Sequence, residues 1–171
     1  MHSTAWWPVL AALVIATVTD LRSRRIPNWL VYPFMMAGVG TCGWIHGWHG
    51  IELSLSGFAL GAVLFGVPAL MGGMGMGDVK LLAGVGAWVG PSQLIVALVL
   101  TGIVGGIMAI CWAIAGGFLG ELLWGTGDLL LGVTRRGLAP HATLVLDNPK
   151  SRKMPYAPAI AIGTLISFFS R

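Results

Sequence analysis

Long apolar stretches separated by short polar segments are the feature that most constrains the fold of this chain. The 171 residues are 56% hydrophobic and 9% charged, whereas a soluble globular protein has about 25% charged residues. So few polar side chains cannot cover a water-soluble globule, and the natural solvent for most of this surface is lipid. The composition therefore predicts an all-α, polytopic membrane protein, and the length allows a single membrane-embedded domain over residues 1–171.

The apolar stretches predict about six transmembrane helices. Several are near or below the usual length of about 20 residues, which is tolerable in a packed bundle or a locally thinned bilayer. Residues 118–138 mix leucines with charged side chains, which favours an amphipathic helix in the membrane interface before the last span. Residues 139–154 are expected to form a polar loop. The predicted spans are residues 1–20, 29–45, 53–70, 79–89, 93–116 and 155–169.

Two of the predicted spans carry a GxxxG pair. The third span has Gly57 and Gly61, and the fifth has Gly102 and Gly106. Glycines four residues apart let two helices approach closely. Both spans are therefore expected to offer a surface for close helix packing.

The basic residues predict the orientation of the spans. Of the ten Lys and Arg residues, all except Arg171 fall on one side of a six-span arrangement. The positive-inside rule makes that side cytoplasmic, so we expect a multi-pass protein of the inner membrane with both termini outside. This topology explains the net charge of +4 without a nucleic-acid partner. The tryptophans expected at the outer boundary are Trp6, Trp7, Trp44, Trp48 and Trp88, with Trp29 at the inner one.

Two aspartates lie at the ends of predicted spans. Asp20 closes the first span, and Asp78 begins the fourth span after a glycine-rich stretch over residues 72–77. The first and third spans both run inward. The end of the first span and the start of the fourth span are therefore on the same side of the membrane. This parity of the spans places both carboxylates at the same depth, on the cytoplasmic side.

Two carboxylates at one depth, held on separate helices, suit aspartic peptidase chemistry. Like charges brought close together cannot both ionise, so the pair shares a proton. The ionised member takes a proton from a water, and the protonated member polarises the scissile carbonyl. The glycines before Asp78 would let the chain leave the helix and approach a substrate backbone. The simpler interpretation is structural: Asp20 flanks or caps the first span, and Asp78 is the N-cap of the fourth.

Other kinds of site fit the sequence less well. Cys42 and Cys111 lie far apart within apolar stretches and are expected to be buried small hydrophobes. His46, His49 and Glu52 could bind a metal, but a short outer loop with glycines is more often simply polar. No metal site and no cofactor are therefore predicted.

Three segments of the chain resemble the type IV prepilin leader peptidase family, whose members are six-span aspartyl peptidases with a GxGD motif. The combination of the three segments is specific, whereas GxGD alone is not. The resemblance covers the chain from Asp20 to its end. The segments are Asp20-Leu-Arg-Ser-Arg-Arg-Ile-Pro-Asn28, Gly75-Met-Gly-Asp78-Val-Lys80 and Met154-Pro-Tyr-Ala-Pro158-Ala-Ile-Ala-Ile-Gly163.

The resemblance implies removal of the basic leader of a type IV prepilin or pseudopilin at the cytoplasmic membrane face, just before the hydrophobic helix of the substrate. The implied catalytic residues are Asp20 and Asp78, with Gly75 and Gly77 shaping the loop. The expected partners are this leader peptide and membrane lipid, and the sequence does not define the oligomeric state.

Three further residues are expected near the site. Lys80 would either orient Asp78 or bind a lipid phosphate, and the resemblance favours a local active-site role. Pro27 and Asn28 are expected to set the turn that holds Asp20.

The chain is similar to the short members of the family that serve Flp-type, or tight-adherence, pilus systems. Long members carry paired CxxC motifs and methylate the new N-terminus, and this sequence has no CxxC, so methyltransferase activity is not expected. The alternative is a non-catalytic helical membrane protein, a transporter or pilus-assembly subunit, with the aspartates as ion ligands. A midplane ion site would place carboxylates within the spans, so their position at the span ends favours the peptidase.

Overall fold

The structure of the protein is a computed structural model that describes residues 2–70, 74–117, 120 and 155–170. These residues form four α-helices, which confirms the predicted all-α class for the part of the chain described. The predicted interfacial helix over residues 118–138, apart from Gly120, and the predicted loop over residues 139–154 lie outside the described residues. The helices are α1 (His2–Ser23), α2 (Asn28–Leu70), α3 (Met76–Ala115) and α4 (Ala157–Phe169).

Helix α2 folds back on itself at Gly47. A straight helix of its 43 residues would be about 65 Å long, roughly twice the hydrocarbon thickness of a bilayer. Gly47 has φ 60° and ψ −144°, a conformation that favours glycine. Beyond this residue, Gly50 packs against the backbone of Cys42. The predicted turn over residues 46–52 is therefore a break at one residue between two helical arms, α2a (residues 28–46) and α2b (residues 48–70).

Helix α3 has a similar break at Gly90, where a turn is predicted. Gly90 has φ 78° and ψ 172°, and the following Pro91 has no N–H with which to continue the helical hydrogen bonds. The chain reverses at this break. The reversal is evident from Gly86 and Leu94, which lie on either side of the break and are so close that a side chain on Gly86 would meet that of Leu94. The two arms are α3a (residues 76–89) and α3b (residues 91–115).

Arm α3a is inserted between the two arms of α2. On one side α2a contacts it at Gly84 and Trp88. On the other side α2b crosses it at Gly57, where an added Cβ would lie 2.2 Å from the Gly86 carbonyl oxygen. Residues 81–90 are all buried as a result.

Trp88 belongs to the core and does not face the membrane at the outer boundary. Trp44 and Trp48 are 92% and 74% exposed, whereas Trp88 is 5% exposed. Its indole N–H donates to the Phe34 carbonyl at 2.8 Å, and its ring stacks on the Phe34 ring. An indole in an apolar interior needs such an acceptor, so Trp88 fixes α3a against α2a.

Helix α4 packs against α3b, and α1 packs mainly against α4. The Gln93 side chain donates to the Ser167 carbonyl at 2.5 Å. Nearer the start of α4, Gly163 lies directly against the backbone of Thr101. The buried face of α1 repeats every three or four residues, as in an amphipathic helix. Its members are Val9, Ala12, Leu13 and Ala16.

Helices α1 and α4 and the four arms of α2 and α3 run in alternating directions, so several helix ends meet. Residue numbers rise together along the contact between α2a and α3a, and in opposite senses between α3a and α2b. They also run in opposite senses between α3b and α4. The end of α1 therefore lies with the starts of α2, α3 and α4 at one end of the bundle, which we call the Asp20 end. The turns at Gly47 and Gly90 lie at the other end.

The surface of the bundle is strongly apolar. Helices α2 and α3 are long and apolar enough to cross a membrane. Soluble proteins rarely expose continuous apolar faces, so this surface suits lipid. Exposed apolar side chains include Val14, Val18, Val63, Leu64, Val99, Ile103, Ile107, Ile114, Ile162 and Ile166.

Candidate active site

Asp20 lies in the last turn of α1 and contacts the start of α4. It is 6% exposed, and its Oδ2 accepts a hydrogen bond from the backbone N–H of Ala157 at 3.0 Å. Helix α1 continues beyond the predicted end at Asp20 to Ser23. The chain then turns at Arg24, which has a left-handed φ of 51° and donates its N–H to the Asp20 carbonyl. The Asp20 side chain thus satisfies a free N–H group of another helix, α4.

Asp78 lies in the first turn of α3. The N-cap of this helix is Gly75, so the predicted N-cap role of Asp78 is wrong. The N–H of Asp78 donates to the Gly75 carbonyl at 3.1 Å. The Asp78 and Asp20 carboxylates are close enough for their charges to interact, in agreement with the parity of the predicted spans. The structure therefore brings together two carboxylates from different helices.

Gly75 and Gly77 provide space beside these groups. The backbone of Gly75 has φ −72° and ψ 136°, an ordinary extended conformation that does not need glycine. An added Cβ on Gly75 would lie 3.0 Å from Asp78 Oδ2, and one on Gly77 would lie 3.1 Å from Ile26 Cβ. Close approach, and not backbone freedom, is what these two glycines allow. Residues 72 and 73 lie outside the described residues.

Lys80 follows Asp78 by two residues in α3 and is hydrogen-bonded to α2. Its ammonium donates to Asn28 Oδ1 at 3.0 Å and to the Tyr32 hydroxyl at 3.1 Å, and it lies 5.0 Å from the centre of the Tyr32 ring. Lys80, Asp20 and Asp78 are all among the described residues, and no ion pair within 4 Å joins the lysine to either aspartate. Lys80 therefore ties the start of α3 to the start of α2.

The turn predicted at Pro27 and Asn28 is present and begins α2. The Pro27 carbonyl accepts the N–H of Leu30 at 3.1 Å, and α2 starts at Asn28. The preceding residue, Ile26, packs on Gly77. The connection that follows Asp20 is thus held against the first turn of α3.

The start of α4 is a part of this site that the sequence alone does not reveal. The Tyr156 ring occupies the space beside Gly105, where an added Cβ would lie 2.8 Å from the phenol oxygen. The Tyr156 phenol is also close enough to the Asp78 carboxyl group for an electrostatic interaction. Pro155 and Pro158 are typical of a helix start, but only the packing shows that this start meets the aspartates.

Positively charged groups lie near the pair and oppose the effect of burial, which disfavours the charged form of a carboxyl group. A helix N-terminus carries about half a positive elementary charge, and both α3 and α4 begin beside the carboxylates. Arg22, Arg24 and Arg25 are exposed at the same end of the bundle. Paired carboxylates in this setting can hold one shared proton and activate a water molecule.

The other residues considered from the sequence lie elsewhere. His49 and Glu52 are exposed and 3.7 Å apart beside the Gly47 turn, and no group of three potential metal ligands occurs among the described residues. Cys42 is buried as predicted, whereas Cys111 is exposed. The prediction of burial is wrong for Cys111 because it lies on the outer face of α3b.

Fold and site together define a helical protein with two interacting aspartates at one end of its bundle. A model of the type IV leader peptidase family matches residues 7–110, which is more than half of the chain and includes both aspartates. The chain therefore belongs to the type IV leader peptidase family. The family and the apolar helices together indicate a protein of the inner membrane.

Several similar proteins are named prepilin leader peptidase/N-methyltransferase. The one from Aeromonas salmonicida is 32% identical over 122 residues, which are 64% of this chain and 42% of that protein. The one from Xanthomonas campestris is 33% identical over 113 residues, 61% of this chain and 39% of the relative. The Bacillus subtilis protein is 26% identical over 162 residues, 93% of this chain and 52% of the relative. This chain thus spans about half or less of the length of these relatives, and no solved structure matches it.

Proposed function

We propose that this protein is an aspartic endopeptidase that removes the basic leader of type IV prepilins or pseudopilins of the Flp type. The observation that carries the proposal is the convergence of Asp20 and Asp78, from α1 and α3, where their charges interact. The names of the relatives supply the substrate class. Of the two activities in those names, the paired carboxylates suit peptide hydrolysis.

The reaction is the addition of water to the scissile carbonyl. One carboxylate takes a proton from the water while the other, protonated, donates to the carbonyl oxygen, so the pair can stabilise the tetrahedral intermediate. When the C–N bond breaks, the first carboxyl returns its proton to the leaving nitrogen. The second carboxyl recovers a proton from a hydroxyl of the intermediate, so the pair regains its starting state with a single shared proton.

Each helical arm is proposed to cross the inner membrane once, which gives six spans in one domain over residues 1–171. The arms alternate in direction, and Arg22, Arg24, Arg25 and Lys80 all lie at the Asp20 end. The positive-inside rule makes this end cytoplasmic and places both termini outside. The site would then meet the basic leader of a substrate whose apolar helix lies in the membrane.

The residues around the pair are proposed to support the catalytic carboxylates. Gly75 leaves room for the Asp78 carboxyl group, and Gly77 allows Ile26 to pack against α3. The hydrogen bond from Lys80 to Asn28 joins the starts of α3 and α2, and Pro27 begins α2. These contacts hold the connection that follows Asp20, and the start of α2, against the helix that carries Asp78.

Co-expression with an Flp-type prepilin, with leader loss followed by mass spectrometry, tests the proposal. Asp20→Asn and Asp78→Asn should each slow leader removal at least about 100-fold, the usual contribution of acid–base catalysis. Glu52→Gln is the matched control, because Glu52 is an exposed carboxylate near the opposite end of the bundle, and it should keep the parental rate. Processing at the parental rate by either aspartate variant would show that the paired mechanism is wrong.

The alternative is a non-catalytic transporter or assembly subunit that binds cations at the two aspartates. The starts of α3 and α4 direct their positive ends toward the carboxylates, which opposes cation binding. Proteoliposomes distinguish the two functions. Cation uptake that is lost in both Asn variants, without any leader removal by the parent protein, would favour the transporter.

A further inference from the structure

The first turn of α4 contacts one member of the aspartate pair directly. Tyr156 precedes the helix, and its carbonyl accepts the N–H groups of Ala159 and Ile160 at 3.0 and 3.2 Å. The N–H of Ala157 does not take part in these bonds. It donates instead to Asp20 Oδ2 at 3.0 Å, and both residues are buried.

Asp78 has a different hydrogen-bonding environment. Its Oδ2 lies beside Gly75, and among the described residues no N–H or O–H group donates to its carboxyl. A hydrogen bond from an amide stabilises the charged form of a carboxyl group, and amide donors bind a charged carboxylate more strongly than a neutral one. Both carboxyls lie near a helix N-terminus, but among the described helices only one N–H of a neighbouring helix reaches the pair, and it donates to Asp20.

We propose that the Ala157 N–H makes the pair asymmetric, so that Asp20 holds the negative charge and Asp78 holds the shared proton. This assignment rests on the proposed peptidase function for its catalytic meaning. Ala157 is a positioning residue that acts through Asp20. The final helix thereby becomes part of the machinery, although the family match ends at residue 110.

The assignment gives each aspartate one role in hydrolysis. Asp20 takes the proton of the attacking water as its oxygen bonds to the carbonyl carbon, and Asp78 gives its proton to the carbonyl oxygen. In the second half, Asp20 protonates the amide nitrogen as the C–N bond breaks. Asp78 removes a proton from one hydroxyl of the intermediate, so that the new carboxyl forms and both aspartates return to their starting states.

Carboxyl ¹³C NMR of the full chain, labelled at its aspartates and held in nanodiscs near neutral pH, tests the assignment without substrate. Asp20→Asn and Asp78→Asn identify the two resonances by their loss. In the parent protein, the Asp20 resonance should have the position of a carboxylate and the Asp78 resonance that of a carboxylic acid. The reverse order would overturn the proposal, whether or not the protein cleaves a prepilin.

A pair of backbone esters tests the role of the Ala157 N–H itself. Replacing Ala157 by lactic acid in cell-free synthesis removes that N–H and keeps the side chain, and the same replacement of Ala159 removes an N–H that bonds only to Tyr156. The Ala157 ester should move both aspartate resonances toward intermediate positions and lower the rate of leader removal about tenfold. The Ala159 ester should leave both resonances in place.

Unchanged resonances in the Ala157 ester would overturn the proposal, as would equal changes in the two esters. The resonance positions in the parent protein test the asymmetry even if an ester protein fails to fold. Absence of leader removal by the parent, with the expected resonances, would reject the proposed function and leave the asymmetry of the pair standing.

Discussion

The two GxxxG pairs that lie within predicted spans share a spacing and have opposite surroundings. Gly57 and Gly61 on α2b are buried against the backbone of α3a, with added Cβ atoms 2.2 Å from the Gly86 oxygen and 3.0 Å from Ala83. Added Cβ atoms on Gly102 and Gly106 of α3b would meet no atom of the described residues within 4 Å. A GxxxG pair thus indicates a helix surface that permits close approach, and the rest of the fold decides whether a helix approaches it.

The close crossing at Gly57 permits polar contacts between the same two arms. The Ser54 hydroxyl donates to the Ala87 carbonyl at 2.6 Å, and Cys42 Sγ lies 3.7 Å from the same oxygen. Arm α3a carries Asp78 at its start, so this crossing also sets the position of one carboxylate. Gly105, which lies between Gly102 and Gly106 on α3b, differs from both. It packs against the Tyr156 ring, which occupies the space that a side chain would need.

Gly57→Ala should have the largest effect. Its Cβ would overlap the carbonyl carbon and oxygen of Gly86, and backbone atoms cannot move aside as a flexible side chain does. Overpacking at such a site costs about 3 kcal/mol, so the unfolding midpoint in a detergent titration should fall clearly. Gly66→Ala on the same arm is the control, because its Cβ would meet none of the described residues within 4 Å. Equal midpoints for the two variants would contradict the crossing at Gly57.

Gly163→Ala should have the next largest effect. An added Cβ would lie 2.4 Å from the Thr101 amide nitrogen, which would push α4 away from α3b. We expect a loss of about 2 kcal/mol in the free energy of unfolding, smaller than at Gly57 because a helix of 13 residues can shift as a unit. The shift should lengthen the bond from Ala157 to Asp20, so leader removal should also slow.

Ser170→Ala is the control for that variant, because Ser170 lies beyond the end of α4 and bonds locally to the Ser167 carbonyl. It should change neither the stability nor the rate by more than a small amount. A slow rate in Gly163→Ala with a normal free energy of unfolding would place the effect at the site and not in the packing of α4.

Gly75→Ala should affect activity more than stability. Alanine adopts the observed φ and ψ without strain, but its Cβ would lie 3.0 Å from Asp78 Oδ2 and turn the carboxyl away. We expect leader removal to slow about tenfold, since a small misplacement of a catalytic group is costly. The unfolding midpoint should stay within about 0.5 kcal/mol of the parent. A large loss of stability would instead show that Gly75 is needed for the fold of its loop.

Much of the architecture follows from the sequence because it depends on the number of apolar stretches. Turns are predicted near Gly47 and at Gly90, and the structure breaks both long helices there. The alternating direction of the spans is enough to bring Asp20 and Asp78 to one end. The predicted end of α1 is three residues short of the observed end at Ser23, but this difference does not change the direction of any span.

The direction of individual side chains is what the sequence does not provide. A rotation of 100° per residue separates a lipid-facing position from a core position, and helices that are apolar on all sides carry no pattern to fix that angle. The sequence therefore does not predict that Trp88 lies in the core, that Cys111 is exposed, or that Lys80 is hydrogen-bonded to α2. The contact between Asp20 and Ala157 joins residues far apart in the chain, so it too depends on packing.

Gly102→Ala and Gly106→Ala should have the smallest effect and the opposite sign. Within the part of the chain that the structure describes, their Cβ atoms would meet nothing within 4 Å, and alanine is favoured over glycine in a helix by up to about 1 kcal/mol. Each variant should therefore unfold at the same detergent midpoint as the parent or at a slightly higher one. A loss comparable to that of Gly57→Ala would mean that a helix outside the described residues covers this face in the membrane. The two pairs would then be equivalent contacts, one within the bundle and one at its outer surface.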